Sequence, residues 1–243
     1  MNILVAGCGT GKHAIQAALC YPSSQITAVD LSLSSLAFAK RKAQDLHIHN
    51  LEFFQADILA LEGLGRQFQI IESIGVLHHL REPIEGWRIL TSLLADAGMM
   101  YIGLYSAIAR AALVPGKQYI ASKGLSRDAA GIRLFRKQVL AEQGSELAKI
   151  ACFSEDFYSL SGCRDLFFHV QEHQYTLSQL SKILAELNLR FLGFDLPSDK
   201  FELYRAFNPE DPRGLNLSVW HKFELENPRT FSGMYKMWIQ KIG

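Results

Sequence analysis

The run Ile3-Leu4-Val5-Ala6 leads without a break into Gly7-Cys8-Gly9-Thr10-Gly11. A short continuous apolar run ended by glycines reads as a strand of a parallel sheet, since a strand covered on both faces has no polar side to show. Three closely spaced glycines form a turn that can take positive φ and let a ligand lie against its backbone. Lys12 to Cys20 then reads as a helix whose free N–H groups and dipole favour an anionic group at its start. Two later strands end on acids. Gln25-Ile26-Thr27-Ala28-Val29-Asp30 puts Asp30 at about the distance from the glycines where Rossmann-type sites keep an acid for ribose hydroxyls. Phe53-Phe54-Gln55-Ala56-Asp57-Ile58 ends on Asp57, whose carboxylate could accept from an adenine amino group. Together these features imply a nucleotide-like cofactor.

NAD and S-adenosylmethionine both satisfy the acid and the helix. The dinucleotide pattern GxGxxG needs its third glycine at position 12, where this chain has Lys12; its third glycine is Gly11, giving GxGxG. With Asp57 added, the residues resemble the class I S-adenosylmethionine-dependent methyltransferases. Gly7-Cys8-Gly9-Thr10-Gly11 matches that family's glycine motif, Val29-Asp30 its ribose acid and Ala56-Asp57-Ile58 its adenine-edge motif. Ile70-Ile71-Glu72-Ser73-Ile74-Gly75-Val76-Leu77-His78-His79-Leu80 matches its fourth-strand motif. The resemblance is dense from residue 2 to about 106.

It implies a Rossmann-like α/β fold: a mostly parallel seven-stranded sheet with the last strand antiparallel. It also implies S-adenosylmethionine as cofactor, with Gly7, Cys8, Gly9, Thr10 and Gly11 at the amino-acid end. Asp30 and Leu31 would then lie at the ribose, Asp57 and Ile58 at the adenine, and Ser73, Gly75 and Val76 near the sulfonium. No metal is implied. Such enzymes commonly carry one or two helices before the first strand, whereas here the strand begins at residue 2 or 3; the expectation is a catalytic domain cut from a longer polypeptide, or one lacking its lid.

Alternating strands and helices place strands at 3–6, 25–29, 51–55, 69–74 and 99–105, with helices at 12–20, 34–46 and 84–95. The chain divides into a cofactor-binding half, 1–106, a mainly helical insert, 107–176, as substrate or cap element, and a C-terminal part, 177–243. In the last, a helix from Thr176 or Ser178 to Asn188, a strand at Arg190–Phe194, a polar stretch with Pro197, Pro209 and Pro212, a helix near Leu217–Glu226 and a strand at Met234–Gln240 complete the sheet.

The formal net charge of +1, from 25 basic and 24 acidic residues, names no partner. No apolar run of about 20 residues exists to span a membrane, and no signal peptide is evident. Cys8, Cys20, Cys152 and Cys163 show no paired spacing, which suits reduced thiols in a cytoplasmic protein. Charge is local instead. Residues 107–140 hold Arg110, Lys117, Lys123, Arg127, Arg133, Arg136 and Lys137 against Asp128 alone, which fits either a solvated face or a patch for an acidic acceptor or protein segment. Thin aromatic interleaving there argues against nucleic acid.

His169-Val170-Gln171-Glu172-His173 has the HxxEH letters of a zinc site, but Leu166-Phe167-Phe168 and Gln174-Tyr175-Thr176 read extended or loop-like rather than helical. The segment Ser161 to His173 resembles one in bacterial methyltransferases fused behind tetratricopeptide repeats, which makes an upstream repeat domain a possible partner and puts His169 at the active-site mouth. His78 and His79 follow strand four, where an imidazole can act as a base near neutral pH. His79 and His169 are therefore the candidates to touch a methyl acceptor, a small molecule or a protein. Two other readings stay open: a module that binds S-adenosylmethionine without turnover, and an NAD-dependent oxidoreductase, which Lys12 and Asp57 disfavour.

Overall fold

The computed structural model describes residues 1–142, 144–145, 147–149, 154–169 and 172–242. Two compact units are present, Met1–Ser106 with His173–Gly243, and Ala107–Glu172.

The first unit is built on seven strands: β1 (Asn2–Ala6), β2 (Gln25–Asp30), β3 (Leu51–Gln55), β4 (Phe68–Ile74), β5 (Leu94–Leu104), β6 (Leu189–Phe194) and β7 (Tyr235–Lys241). Their order is β3-β2-β1-β4-β5-β7-β6, parallel from β3 to β5, with β7 antiparallel to both β5 and β6. This is the expected Rossmann-like sheet. Side chains alternate across it, and both sides are buried near the centre. Leu4, Ala6, Val29 and Ile71 join the main core, whereas Ile3, Val5, Ile26, Ala28 and Ile70 join a second cluster with Ala14, Ala17 and Ala18. That is why the buried positions of β1 and β2 are apolar apart from Thr27, and the polar Asn2, Gln25 and Asp30 stand at the strand ends.

Helices α1 (Lys12–Cys20), α2 (Leu33–Asp45) and α3 (Pro83–Ser92) connect the strands. Proline in the first turn of α3 fits because that position has no intrahelical partner for its N–H. The helix read at 84–95 stops at Ser92, and β5 begins at Leu94 rather than at residue 99. Leu94 pairs with Phe68 and Met99 with Ile70, so Ala95–Gly98 bulge out of the ladder, with Ala97 at φ 55°.

In the C-terminal part, Thr176 caps helix Leu177–Glu186 in a capping box with Gln179, and helix Leu217–Glu226 has the bounds read from the sequence. The stretch after Pro197 is not loop throughout: Ser198–Phe207 is a helix, and its Tyr204 stacks on Trp220 at 3.6 Å. Residues His173–Thr176, assigned to the insert on sequence, belong to the sheet unit. His173 N–H donates to His78 O at 2.8 Å, and Tyr175 N–H to Tyr105 O at 3.0 Å.

The second unit contains α4 (Ala107–Arg110), α5 (Val114–Ser122) and α6 (Ala129–Ala141), followed by a helix at Leu160–Cys163 that widens into a π-type turn at Arg164–Phe168. Leu166-Phe167-Phe168 is thus helical and buried, against the extended reading. The Phe135 ring lies 6.3, 5.1 and 5.5 Å from those of Phe157, Phe167 and Phe168, and this aromatic cluster is the unit's core.

Candidate active site

β1 lies between β2 and β4, the point where the sheet's connections reverse direction and where open α/β sheets form ligand crevices. The glycine turn leaves β1 there. Gly7 and Cys8 both donate N–H to Val29 O, at 2.8 and 2.9 Å, and Gly9 donates to Asp30 Oδ2 at 2.7 Å. The other Asp30 oxygen accepts from Ser32 N at 2.8 Å, so one carboxylate ties the turn to the end of β2.

The three glycines are needed for different reasons. A Cβ on Gly7 would strike the Val76 side chain, whose own Cβ would be 2.9 Å away, and one on Gly11 would sit 2.6 Å from Ala39 Cβ. Protein packing, not a ligand, excludes side chains at those two positions. Gly9, at φ +52°, has nothing within 4 Å of where its Cβ would stand. Only Gly9 presents an open backbone surface of the kind a ligand would cover.

The remaining sequence-derived residues divide into those the site can use through side chains and those it cannot. Cys8 is buried in the second cluster, and burial with the nearby Asp30 charge pushes its thiol up to about 12, leaving only its backbone for a ligand. Ile58 packs in the main core, so it too can offer only backbone. Thr10 and Leu31 are exposed. Asp57 caps the short turn after β3 through Oδ1, accepting from Leu59 N at 3.0 Å. Ser73 is fully buried, and its hydroxyl has no partner among the described residues. Gly75 N–H donates to Gly103 O at 3.2 Å, joining the ends of β4 and β5. An open turn beside two anchored carboxylates and an unpartnered buried hydroxyl fits an adenosine cofactor with polar groups along its length.

The two candidate histidines lie in different units. His79 stands in the loop after β4, its ring 4.2 Å from that of His78 and 5.7 Å from that of Tyr105. His169 follows the π-type turn of the second unit, where its charge lowers the Asp165 carboxyl against the larger raising effect of burial. Of the HxxEH letters, Val170 and Gln171 lie outside the described residues. Glu172 is held by a two-pronged pair with Arg110 and by Lys117 at 3.6 Å. That carboxylate is engaged and supplies no free base. Arg110, counted with the basic patch, is therefore buried; Arg136 is also tied, donating to Tyr158 O at 2.6 Å. Lys123, Arg127, Arg133 and Lys137 stay exposed. Cys8, Cys20 and Cys163 are free thiols, and Cys152 lies outside the described residues. No helix among the described residues is long and apolar enough to cross a membrane.

The sequence reading missed a feature on the other side of the glycine turn. A groove of about 470 Å³ runs along α1, with Glu72, Tyr101 and Trp238 on its floor and Lys12, His13 and Lys236 among its walls. A signal was present: Glu72 is a carboxylate at an inward position of the apolar run Ile70-Ile71-Glu72-Ser73-Ile74.

The profile of the family described as "Methyltransferase domain" matches residues 1–147. The chain belongs to this family. It carries a class I S-adenosylmethionine-dependent methyltransferase domain, with which the glycine turn, the two acids and the strand order agree. An uncharacterised protein of Synechococcus sp. is 32% identical over 239 residues, spanning 92% of this chain and 56% of its own length. The release factor glutamine methyltransferase of Escherichia coli is 35% identical over 121 residues, spanning 47% of this chain and 43% of its own. Among solved structures, PKMT2 from Rickettsia typhi in complex with AdoHcy superposes with a TM-score of 0.69 at 20% identity, covering 98% of this chain and 48% of that one, a likeness of fold. This methyltransferase chain spans about half the length of the curated relatives it matches.

Proposed function

We propose that this methyltransferase passes a methyl group from S-adenosylmethionine to a small-molecule or protein acceptor. The observation that carries the reading is Gly9, whose open surface beside Asp30 at the switch point is the one glycine position in the turn that protein packing leaves uncovered.

The turn backbone around Gly9 would lie against the cofactor. Asp30, already braced by Gly9 and Ser32, keeps lone pairs for ribose hydroxyls and cannot swing away without loosening the turn. Asp57 holds Oδ1 on Leu59 and leaves Oδ2 for the adenine amino group, with Ile58 contributing backbone alone. Ser73, Gly75 and Val76 would border the sulfonium, where the buried Ser73 hydroxyl gains a partner. When bound, the cofactor supplies an already activated methyl carbon, so the protein's task is alignment. An alcohol or protonated amine as acceptor needs a base, and His79 and His169 are the candidates; a carboxylate or thiolate needs none.

The insert is the proposed acceptor element. Its exposed Lys123, Arg127, Arg133 and Lys137 favour an acidic acceptor, a small molecule or a protein segment. An upstream repeat domain in the full polypeptide would be the partner that delivers a protein acceptor, and cytoplasmic location fits the free thiols.

Calorimetric titration with S-adenosylhomocysteine tests the site. Asp30→Ala and Asp57→Ala should each weaken binding by about 1–3 kcal/mol, the range for leaving a polar partner unmatched. Unchanged affinity in both variants would place the cofactor elsewhere.

A further inference from the structure

We infer that the Met234 side chain is a steric gate at the sulfonium end of the cofactor pocket, restricting the alkyl group carried on sulfur to a methyl. The inference rests on the cofactor reading above and adds a residue from the far end of the chain, outside the glycine, ribose, adenine and fourth-strand motifs.

Two glycines lead to it. Gly103 lies inside β5, in register with Ile74 of β4 and Lys236 of β7. Glycine within a strand weakens it and marks a place where another group comes close. A Cβ on Gly103 would stand 2.6 Å from Met234 Sδ and 2.9 Å from Ile74 Cγ2, and no positive φ demands glycine there. The missing side chain makes room for the thioether. Gly75 follows β4 at φ +74°, and its N–H donates to Gly103 O. Apart from its chain neighbours, the one atom within 4 Å of where a Gly75 Cβ would stand is Met234 Cε, at 3.8 Å.

Met234 therefore lies across the ends of β4 and β5, with its sulfur at Gly103 and its methyl toward Gly75. It is half-buried and outside the three apolar clusters, although Tyr235 and Met237 just after it are buried in the main one. On the other flank of Gly75, Val76 packs into the space beside Gly7. Two apolar side chains thus bracket the backbone assigned to the sulfonium, Val76 from the glycine turn and Met234 from β7. Methionine suits a gate: it is unbranched and adaptable, so it can settle against a methyl and must be displaced by anything larger.

The test compares, by calorimetry and without an acceptor, three ligands that differ only on sulfur. S-adenosylhomocysteine carries no alkyl group there, S-adenosylmethionine a methyl and S-adenosylethionine an ethyl. The wild-type protein should prefer S-adenosylmethionine to S-adenosylethionine about tenfold or more, the scale on which an apolar pocket weighs one methylene. Met234→Ala should remove most of that preference and leave S-adenosylhomocysteine unchanged, which also reports a folded site. Met234→Leu, close to methionine in volume, should keep the preference. No preference in the wild type, the same preference in Met234→Ala, or a parallel loss of all three ligands in that variant overturns the inference, while wild-type binding of S-adenosylhomocysteine leaves the cofactor reading intact. A wild-type protein that binds none of the three overturns both.

Discussion

Each unit of this methyltransferase buries a glutamate, and the two are treated in opposite ways. In the insert, Glu172 is 4% exposed and saturated, with two bonds from Arg110, which is itself 3% exposed, and Lys117 beside them. In the sheet unit, Glu72 has among the described residues only the His13 imidazole, 4.0 Å away. A third buried acid, Glu224, resembles the first: Ser106 and Tyr235 hydroxyls donate to its two oxygens. Burial alone therefore does not mark a functional carboxylate here. What distinguishes Glu72 is that no described residue donates a hydrogen bond to it, and the glycine turn repeats the lesson, with Gly7 and Gly11 filled by protein and Gly9 left open.

The contrast can be broken most forcefully in the insert. Arg110→Ala removes the two-pronged partner of the buried Glu172 carboxylate, and about 3–5 kcal/mol of stability should be lost, as for halves of buried pairs elsewhere. Hydrogen exchange should locate the loss in α5 and α6, with the sheet unit protected as before. A cost below about 1 kcal/mol would reduce the pair to the rank of a surface ion pair. Within the turn, Gly7→Ala combines a clash with Val76 and a left-handed backbone, and should cost about 2–5 kcal/mol by chemical denaturation. Gly9→Ala meets only the backbone penalty, about 1 kcal/mol, yet should lose more cofactor affinity than stability. Equal stability losses at the two glycines would erase the distinction.

The smallest effect is in pH. Burial raises the Glu72 carboxyl above its ordinary 4.5, with Lys12, His13, Lys236, Tyr101 and Asp195 facing the same groove. Its contribution to stability is therefore complete below that ordinary value and is lost as pH rises through the folded-state value. Urea denaturation of wild type and Glu72→Gln should agree near pH 4 and diverge toward neutrality, the variant becoming the more stable. Divergence in the opposite direction would mean that Glu72 already has a partner within the fold.

Much of the sheet unit was legible because its signals are local. An unbroken apolar strand, a glycine turn, a capping Thr176 and the apolar face of Leu217–Glu226 each state their structure within a few residues. The misreadings arose where local signals point two ways. Leu93 and Leu94 continue the α3 periodicity, but Leu94 pairs with Phe68 in β5. The polar stretch that holds Pro197 shows no clear helical signal, yet a proline just ahead of a helix is compatible with its start, as at Ser198–Phe207. Leu166-Phe167-Phe168 reads extended or loop-like from its letters, though its rings gather around Phe135 in a helical turn. At the site, the motif letters located Asp30, Asp57 and the glycines, but not which glycine faces a ligand, since Val76 and Ala39 reach the turn from elsewhere in the chain. The partners of Arg110 and the isolation of Glu72 are likewise long-range facts that no window of sequence contains.

The most direct measurement is a calorimetric titration of the wild-type protein with S-adenosylhomocysteine, with NADH as the control. The account predicts micromolar binding of S-adenosylhomocysteine at one site per chain and none of NADH. Binding of NADH without S-adenosylhomocysteine would contradict it and make the glycine turn a dinucleotide site.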